Sequence, residues 1–372
     1  MAQTWRVTPW KVAVFRLIDA LSLPLRPFVR PKAQQGGIRN ILVMEPWQIG
    51  DVVLATPALR ALRDRFPEAR IALLGKPHAE ELLRHSGLVD EVIVFDIPWT
   101  AKSAKYDPRR YDSGKLRALI ADLHARRFDL TVDARMDLRS NLITCLSRAP
   151  RRIGYDFGGG SFLLTDALPA DPDTRHRVDD WLELMKPLGS SERFEPLLRV
   201  SDTEREQAEK TLRAHGIGPG DVVVAIHGGA SDERRRWPTA HFERVAERLV
   251  ERDGAKVVWF LEPGAPDRAI PIASAVLRTS LREMMAILTH CRLLVCNDSG
   301  PMHIADALDV PVVAVFLTGN PVWHRPYRRG QAVVGEGTGH DFLVAPAEAD
   351  VIAAAEARLS RAMSGAGAME RR

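Results

Sequence analysis

Two junctions in this sequence lead from an apolar run to small and acidic residues. Gly50 and Asp51 follow "ILVM" in "ILVMEPWQIGDVV", and Asp298 and Ser299 follow "LLVC" in "LLVCNDSGPMHIADAL". An acid at such a junction is either a helix N-cap or a carboxylate available to a ligand. A helix that begins there also presents its positive dipole end and backbone N–H groups to an anion. The chemistry open to these residues is proton abstraction by a carboxylate and binding of a phosphate at a helix N-terminus.

Two loops near the second junction carry further candidates. "HGGASDERRRWP" places a Gly-Gly turn, Ser231 and the arginine run around Arg235 after an apolar strand, and such a loop suits a phosphate. "LEPGAPDRA" offers Asp267, and an acid about one βα unit past a phosphate loop often binds ribose hydroxyls. Each residue also has an ordinary explanation, because arginine runs are usually solvated and loop acids usually lie at the surface.

The elements around these residues predict how they are positioned. From Ile38 onward, short apolar strands alternate with helices in two halves, separated by loops such as "YDFGGGS" and "LPADPDT". This alternation indicates βαβ units and parallel sheets, so the predicted fold class is α/β. Ligands of such sheets bind beyond the carboxyl ends of the strands, where all of the candidates lie. No G-x-G-x-x-G follows the first strand, which disfavours an oxidoreductase.

The composition of the chain further limits the class of protein that it can be. The chain of 372 residues suits two domains, and 45% hydrophobic and 27% charged residues are ordinary for a folded protein. Its three cysteines form no C-x-x-C pair, so we expect a reducing compartment and no structural zinc. Asp171 and Asp173 in "ADPDT" match a metal-binding Asp-x-Asp, but a proline-rich loop is more often a turn. We therefore expect no metal site.

The N-terminal arm carries the basic character of the chain. Residues 1 to 40 contain seven Lys or Arg and one Asp, a net charge of +6, which leaves the remainder at −2. Aromatic residues are interleaved with these cations, and no apolar run is long enough to span a bilayer. Two interpretations stay open: a segment lying on an anionic membrane, and a helix packed on the body with solvated arginines. Nucleic acid is not expected, because no binding motif accompanies the charge.

Taken in order, the motifs resemble one family, the bacterial heptosyltransferases of glycosyltransferase family 9. The resemblance covers about residues 38 to 330 and is carried by "ILVMEPWQIGDVVLATPALRALRDRFPEARIALLG", "HGGASDERRRWP", "GAPDR" and "NDSGPMHIADALDVPVVAVF", with "DLTVDARMDLRSNLITCLSRAPRRIGYD" similar to its mid-domain stretch. It implies a GT-B fold, in which two Rossmann-like domains face each other across a cleft. We expect a basic arm at 1–37, an acceptor domain at 38–200 and a donor domain at 201–372, whose last helix can pack back on the acceptor domain.

The resemblance also assigns roles by position. It makes Asp51 the general base, Ser231 and Arg235 contacts of the donor pyrophosphate, and Asp267 the ribose-binding acid. The family often has Lys in place of Arg235 and Glu in place of Asp267. The donor phosphate is expected at the helix start formed by Asp298, Ser299, Gly300, Pro301, Met302 and His303.

The implied activity is an inverting, metal-independent transfer of heptose from ADP-heptose to the inner core of lipopolysaccharide or a related glycan. No cofactor is expected, since the nucleotide sugar is a substrate, and the acceptor is lipid-linked or an oligosaccharide. A cytoplasmic protein follows, held peripherally at the inner face of the membrane if the arm binds lipid. The alternatives are a family member with another nucleotide sugar or acceptor, and a non-catalytic two-domain protein that binds a nucleotide sugar.

Overall fold

The chain folds into two α/β units in a computed structural model that describes residues 9–29, 37–100, 107, 111–171, 174–318, 320–328, 332–335 and 346–365. The N-terminal unit is Trp5–Phe194, and the C-terminal unit includes Glu195–Arg372. The division therefore lies slightly before the boundary expected at residue 200. The basic arm belongs to the N-terminal unit and does not stand apart from it.

The N-terminal unit is built on a six-stranded parallel sheet. Its strands are β1 (Asn40–Met44), β2 (Arg70–Gly75), β3 (Glu91–Val94), β4 (Leu130–Asp133), β5 (Arg151–Tyr155) and β6 (Asp166–Leu168). The spatial order is β3-β2-β1-β4-β5-β6, the Rossmann order. Because β1 lies between β2 and β4, its carboxyl end borders the loops that follow both neighbours. β4 is buried along its whole length, and β1 is buried apart from its first residue, Asn40, as expected for strands at the centre of a parallel sheet.

The helices of this unit precede the first strand, join successive strands or follow the last strand. They are α1 (Pro9–Ser22), α2 (Arg26–Val29), α3 (Ile49–Arg65), α4 (Pro77–Leu83), α5 (Ser113–Ala125), α6 (Leu138–Leu146) and α7 (Arg177–Glu183). α3 begins at Ile49, so both Gly50 and Asp51 lie in its first turn. α7 follows the loop-rich region and packs against α3.

The C-terminal unit repeats the same design. Its strands are β7 (Val223–His227), β8 (Lys256–Phe260), β9 (Ala275–Leu277), β10 (Leu293–Asn297), β11 (Val312–Val315) and β12 (Ala332–Val334). They form a second parallel sheet in the order β12-β11-β10-β7-β8-β9. The expected α/β class with two Rossmann-like units is confirmed. β10 and β7 are neighbours, with Cys296 opposite His227, so the loops after these strands meet.

The helices of this unit cover its sheet. They are α8 (Asp202–Ala214), α9 (Thr239–Asp253), α10 (Leu281–Leu288), α11 (Gly300–Ala307), α12 (Pro321–His324) and α13 (Glu348–Met363). The last helix, α13, packs on the sheet of its own unit, and its expected contact with the N-terminal domain stays a prediction. Val351, Ala355 and Leu359 of α13 are buried in the core of the C-terminal unit, against α9 and β11. These three residues form the apolar face of the helix, so its burial partner is its own sheet.

The arm packs on the N-terminal unit through both α1 and α2. Asp19 Oδ1 accepts a hydrogen bond from the backbone N–H of Ser161 at 2.8 Å, and Arg152 Nη2 donates to the carbonyl of Val29 at 2.7 Å. This supports the interpretation of a packed helix. Among the described residues, no helix is both long and apolar enough to cross a bilayer.

Candidate active site

Asp51 lies in the first turn of α3, just beyond the carboxyl end of β1. Gln48 is the N-cap residue, and its backbone N–H donates to Asp51 Oδ2 at 3.1 Å. Asp51 is thus the third residue of the helix and not its N-cap. Its other carboxylate oxygen, Oδ1, forms an ion pair with Arg135 Nη2 at 2.8 Å. The Asp51 side chain keeps 18% of its surface exposed, so it is accessible from solvent.

Arg135 also pairs with a second carboxylate. Its Nε donates to Glu45 Oε1 at 3.1 Å, and its Nη2 contacts the same oxygen. The guanidinium carbon lies 4.3 Å from the centre of the Trp47 ring, in the geometry of a cation–π contact. Glu45 is completely buried, and burial raises its pKa, while the Arg135 cation opposes that shift. Glu45 and Arg135 are not among the site residues predicted from the sequence.

A third acid, Asp133, lies behind this pair at the end of β4. Its Oδ1 accepts the backbone N–H of Arg135 at 2.8 Å, and its side chain is buried. Burial raises the pKa of Asp133 to about 7, and the neighbouring Glu45 carboxylate adds to the shift. Asp133 is therefore partly protonated near neutral pH, unlike an ordinary aspartate.

In the C-terminal unit, Arg235 and Asp298 come together at the start of α11. Arg235 Nη1 lies 3.2 Å from Asp298 Oδ2, with the arginine side chain 40% exposed and the carboxylate 6% exposed. Burial raises the pKa of Asp298, and the arginine cation counteracts this. The guanidinium therefore lies between a buried acid and solvent, with part of its donor fork facing outward.

The start of α11 differs from an ordinary capped helix. Ser299 is the N-cap residue, but its side chain makes no capping hydrogen bond, and its hydroxyl donates to the Asn297 carbonyl at 3.2 Å. Pro301 lies in the first turn, while Met302 and His303 are buried. Side-chain capping by Ser299 therefore does not account for this helix start. The positive end of the helix dipole lies beside Arg235, which favours an anion there.

Asn297, which the sequence analysis missed, joins the helix start to the glycine-rich loop. Its Oδ1 accepts the backbone N–H of Trp237 at 3.1 Å, and its Nδ2 donates to the Gly228 carbonyl at 2.7 Å. The residue is completely buried at the end of β10. The sequence does contain a signal for this residue, because Asn297 is a polar residue at the end of an otherwise apolar strand. Glu45, directly after β1, carries the same signal.

Glu262 and Arg236 hold the other side of this loop. Arg236 Nε donates to the Ala230 carbonyl at 2.8 Å, and its Nη2 pairs with Glu262 Oε2 at 3.0 Å. A Cβ on Gly229 would lie 2.3 Å from Glu262 Cδ, so a larger residue there would displace the Glu262 side chain. Ser231, a predicted phosphate contact, is exposed on the same loop.

Asp267 lies apart from these contacts. Its side chain is 98% exposed and pairs with Arg278 Nη2 at 2.8 Å on the loop after β8. Glu262, from the same loop, is the acid that reaches the glycine-rich turn.

Among the residues that the structure describes, no group of three or more His, Cys, Asp or Glu side chains is placed to hold a metal ion. Asp173 of the Asp-x-Asp match lies outside these residues.

The sequence was found to match the model of one known protein family. The family model for glycosyltransferase family 9 (heptosyltransferase) matches residues 116–343, more than half of the chain. The chain belongs to glycosyltransferase family 9. The protein is therefore a glycosyltransferase of the heptosyltransferase family, as the motifs suggested. Its catalytic and donor-binding assignments remain predictions.

Individual family 9 proteins are similar over most of their length. Lipopolysaccharide heptosyltransferase 2 of Salmonella typhimurium is 25% identical over 322 residues, which covers 81% of this chain and 89% of that protein. A family 9 glycosyl transferase from Veillonella parvula superposes with a TM-score of 0.74 at 24% identity, covering 89% and 100% of the two chains. The E. coli ADP-heptose lipopolysaccharide heptosyltransferase II gives a TM-score of 0.69 at 22% identity, covering 87% and 99%. Both structures share the GT-B fold of this protein.

Proposed function

We propose that this family 9 glycosyltransferase moves a heptose from ADP-heptose to an acceptor hydroxyl of a lipopolysaccharide inner core or related glycan, with inversion and without a metal. The acceptor oxygen forms a bond to the anomeric carbon as its proton passes to Asp51. The bond from that carbon to the diphosphate oxygen breaks, and the electron pair leaves with ADP. One displacement inverts the anomeric configuration.

The position of Asp51 carries this proposal. A carboxylate beyond the carboxyl end of β1 lies at the sheet edge where Rossmann-like units bind ligands. Its fixed orientation, between Gln48 and Arg135, gives it one geometry in which to accept a proton. A positioned general base contributes about 10²–10⁴-fold in rate. Its resemblance to the family's base supports the same role.

Leaving-group stabilisation is proposed for the start of α11 and Arg235. Charge grows on the diphosphate as the glycosidic bond breaks, and preorganised donors lower the energy of that state. The half-exposed guanidinium and the helix dipole supply positive charge without a metal ion. This helix start comprises Asp298, Ser299, Gly300, Pro301, Met302 and His303. Ser231 precedes Arg235 on the glycine-rich loop. Asp267 and Glu262 are the two candidates for the ribose hydroxyls.

ADP-heptose and the inner core are proposed on the names of the relatives. The Salmonella relative is a lipopolysaccharide heptosyltransferase, and the E. coli structure is that of an ADP-heptose enzyme. The experiment is an assay of the full-length protein with ADP-heptose and heptose-deficient lipopolysaccharide, following ADP release and product mass. We expect turnover that survives EDTA and a product of inverted configuration. Turnover with a different nucleotide sugar alone would replace the donor, and a stabilising ligand without turnover would indicate a binding protein.

Peripheral attachment to the inner face of the cytoplasmic membrane is proposed for α1. One side of the helix packs on the body, and another exposes an apolar stripe at helical spacing: Trp10 (65% exposed), Val14 (44%), Leu17 (58%), Leu21 (73%) and, just beyond the helix, Leu25 (52%). Exposed large apolar residues in one line are unusual for a surface facing only water. The net charge of +6 in residues 1 to 40 selects an anionic lipid surface as the partner. A lipid-linked acceptor would be found there.

A further inference from the structure

A single guanidinium is shared by the proposed base and a buried acid. Arg135 Nη2 lies 2.8 Å from Asp51 Oδ1, and the same nitrogen contacts Glu45 Oε1, which also accepts from Nε at 3.1 Å. The side-chain exposures are 12% for Arg135, 18% for Asp51 and none for Glu45. The base therefore shares its cation with a carboxylate that solvent does not reach. Charge interactions in such a place are screened less than at the surface.

The backbone of Arg135 is also fixed by contacts with neighbouring residues. Asp133 Oδ1 accepts its N–H, and the next residue, Met136, has the left-handed backbone angle φ of 49°. A Cβ on Gly158 would lie 1.8 Å from the Met136 carbonyl oxygen, so the loop of Gly158 closes directly over this turn. Trp47 also packs on the guanidinium, so both the backbone and the side chain of Arg135 are held in place.

We propose that Arg135 is a positioning residue that fixes the Asp51 carboxylate and sets the pH at which it accepts the acceptor proton, while Glu45 retains the cation once Asp51 has become neutral. This inference rests on the proposed role of Asp51. In the resting state two carboxylates share one cation. When the acceptor hydroxyl transfers its proton to Asp51, the Arg135–Asp51 ion pair is lost. The Arg135–Glu45 pair remains, so the buried guanidinium is never left without a counter-charge.

The charges around Asp51 predict the direction of each change. A cation within about 4 Å favours the ionised carboxylate, and a nearby anion disfavours it. The titratable and charged groups around this site come from the end of β4, from the loops after β1 and β4, and from α7: Glu45, Asp133, Arg135, Asp137 and Arg177. Among them Arg135 pairs directly with Asp51, and Glu45 pairs with the same guanidinium. Removing the Arg135 cation should make Asp51 easier to protonate. Removing the Glu45 carboxylate should make Asp51 harder to protonate.

The test compares pH profiles of kcat/KM for Arg135→Gln and Glu45→Gln in the full-length enzyme, with ADP-heptose and heptose-deficient lipopolysaccharide. We expect the acidic limb to move up by about one pH unit or more in R135Q and down in E45Q. Arg135→Lys keeps the positive charge and should keep the limb near the wild-type position. An unchanged limb in R135Q, or shifts of the same sign in both Gln variants, would overturn the proposal.

Arg126 provides a matched control. It also joins two carboxylates, Glu91 Oε1 at 2.7 Å and Asp122 Oδ2 at 2.8 Å, at the C-terminal end of α5. Arg126→Gln should leave the pH profile unchanged. A shift equal to that of R135Q would show that loss of any bridging arginine produces the effect.

A second measurement separates this inference from the proposed function. Carboxyl ¹³C titration of selectively labelled aspartate, with Asp51 assigned from its missing signal in Asp51→Asn, needs no turnover. The Asp51 midpoint should rise in R135Q and fall in E45Q even if ADP-heptose proves to be the wrong donor. Equal midpoints in wild type and R135Q would overturn the positioning role. If the Asp51 midpoint shifts as expected in R135Q and E45Q but Asp51→Asn retains full turnover, only the assignment of Asp51 as the base would be overturned.

Discussion

Arg235 Nη1 lies 3.2 Å from Asp298 Oδ2, although the two residues follow different strands of the C-terminal sheet. β7 and β10 are adjacent, so the loops that leave them meet at one edge. The pair places a partly exposed cation over a buried acid beside the start of α11. This relationship leaves two explanations for Arg235: it holds the donor diphosphate, or it serves only to neutralise Asp298.

Arg235→Ala should weaken donor binding by about 1.5–3 kcal/mol, as for hydrogen bonds to charged groups. Calorimetry with ADP-heptose, or with ADP, measures this. Arg234→Ala is the control, since Arg234 is 66% exposed and pairs with Asp232. The variant that combines R235A with Asp298→Asn removes the buried charge as well. If this double variant recovered wild-type donor affinity, Arg235 would serve only to neutralise Asp298.

Asp51→Asn should lower turnover at least about 10²-fold and leave donor affinity near normal, because an amide cannot take the proton. Its carbonyl oxygen can still accept the N–H of Gln48, and Arg135 keeps Glu45, so the melting temperature should change little. Steady-state kinetics and calorimetry give the two quantities. The control is Asp129→Asn. The Asp129 carboxylate accepts hydrogen bonds from the backbone N–H groups of Arg39 and Asn40 at the opposite end of the strands. Retained turnover in Asp51→Asn would move the catalytic assignment elsewhere.

Asn297→Ala should lower both stability and donor affinity. It leaves the N–H of Trp237 and the carbonyl of Gly228 without their buried partner, which costs about 1–3 kcal/mol. Denaturant unfolding and donor titration measure the two effects. Asn141→Ala is a matched control, because Asn141 Nδ2 donates to the Gly159 carbonyl at 3.1 Å in the N-terminal unit. Equal donor affinity in both variants would limit Asn297 to a structural role.

Asp133→Asn should become more stable relative to wild type as the pH rises from about 4 to about 7. The pKa of Asp133 is raised to about 7 by burial, so the folded protein holds this proton more tightly than the unfolded chain. Its contribution to stability is present below pH 4 and is lost as the pH rises through 7, at up to about 1.4 kcal/mol per pH unit. Asn keeps the acceptor for the Arg135 N–H. Chemical denaturation at several pH values tests this, and a difference independent of pH would contradict it.

Replacing Leu17 and Leu21 by Ser should reduce binding to anionic vesicles at least about 10-fold, because each leucine loses apolar surface that lipid would cover. Co-sedimentation with phosphatidylglycerol-containing and neutral vesicles measures it. Val322→Ser, at a similarly exposed valine of the C-terminal unit, is the control. Unchanged binding by the double variant would contradict a membrane role for α1. A change of oligomeric state without lipid would indicate instead that a second copy of the chain covers the stripe.

The sequence by itself determined the local elements and the strand ends at which the candidate residues lie. Alternating apolar strands and helices predicted parallel sheets, and each motif falls just after a strand of the observed structure. These features depend on short-range periodicity and on residues that begin helices, so a single sequence reveals them. The family's motifs then supplied the roles of Asp51, Arg235 and the α11 start as predictions.

Only the tertiary structure decided which side chains meet. Glu45 follows β1 and Arg135 follows β4, and the two pair because these strands are neighbours in the sheet. Asn297 reaches Gly228 for the same reason, since β10 lies beside β7. Strand order arises from the packing of the whole unit, and no local pattern encodes it. The apolar face of α13 likewise predicted a helix but not the sheet that it covers, because a hydrophobic face carries no direction toward its partner.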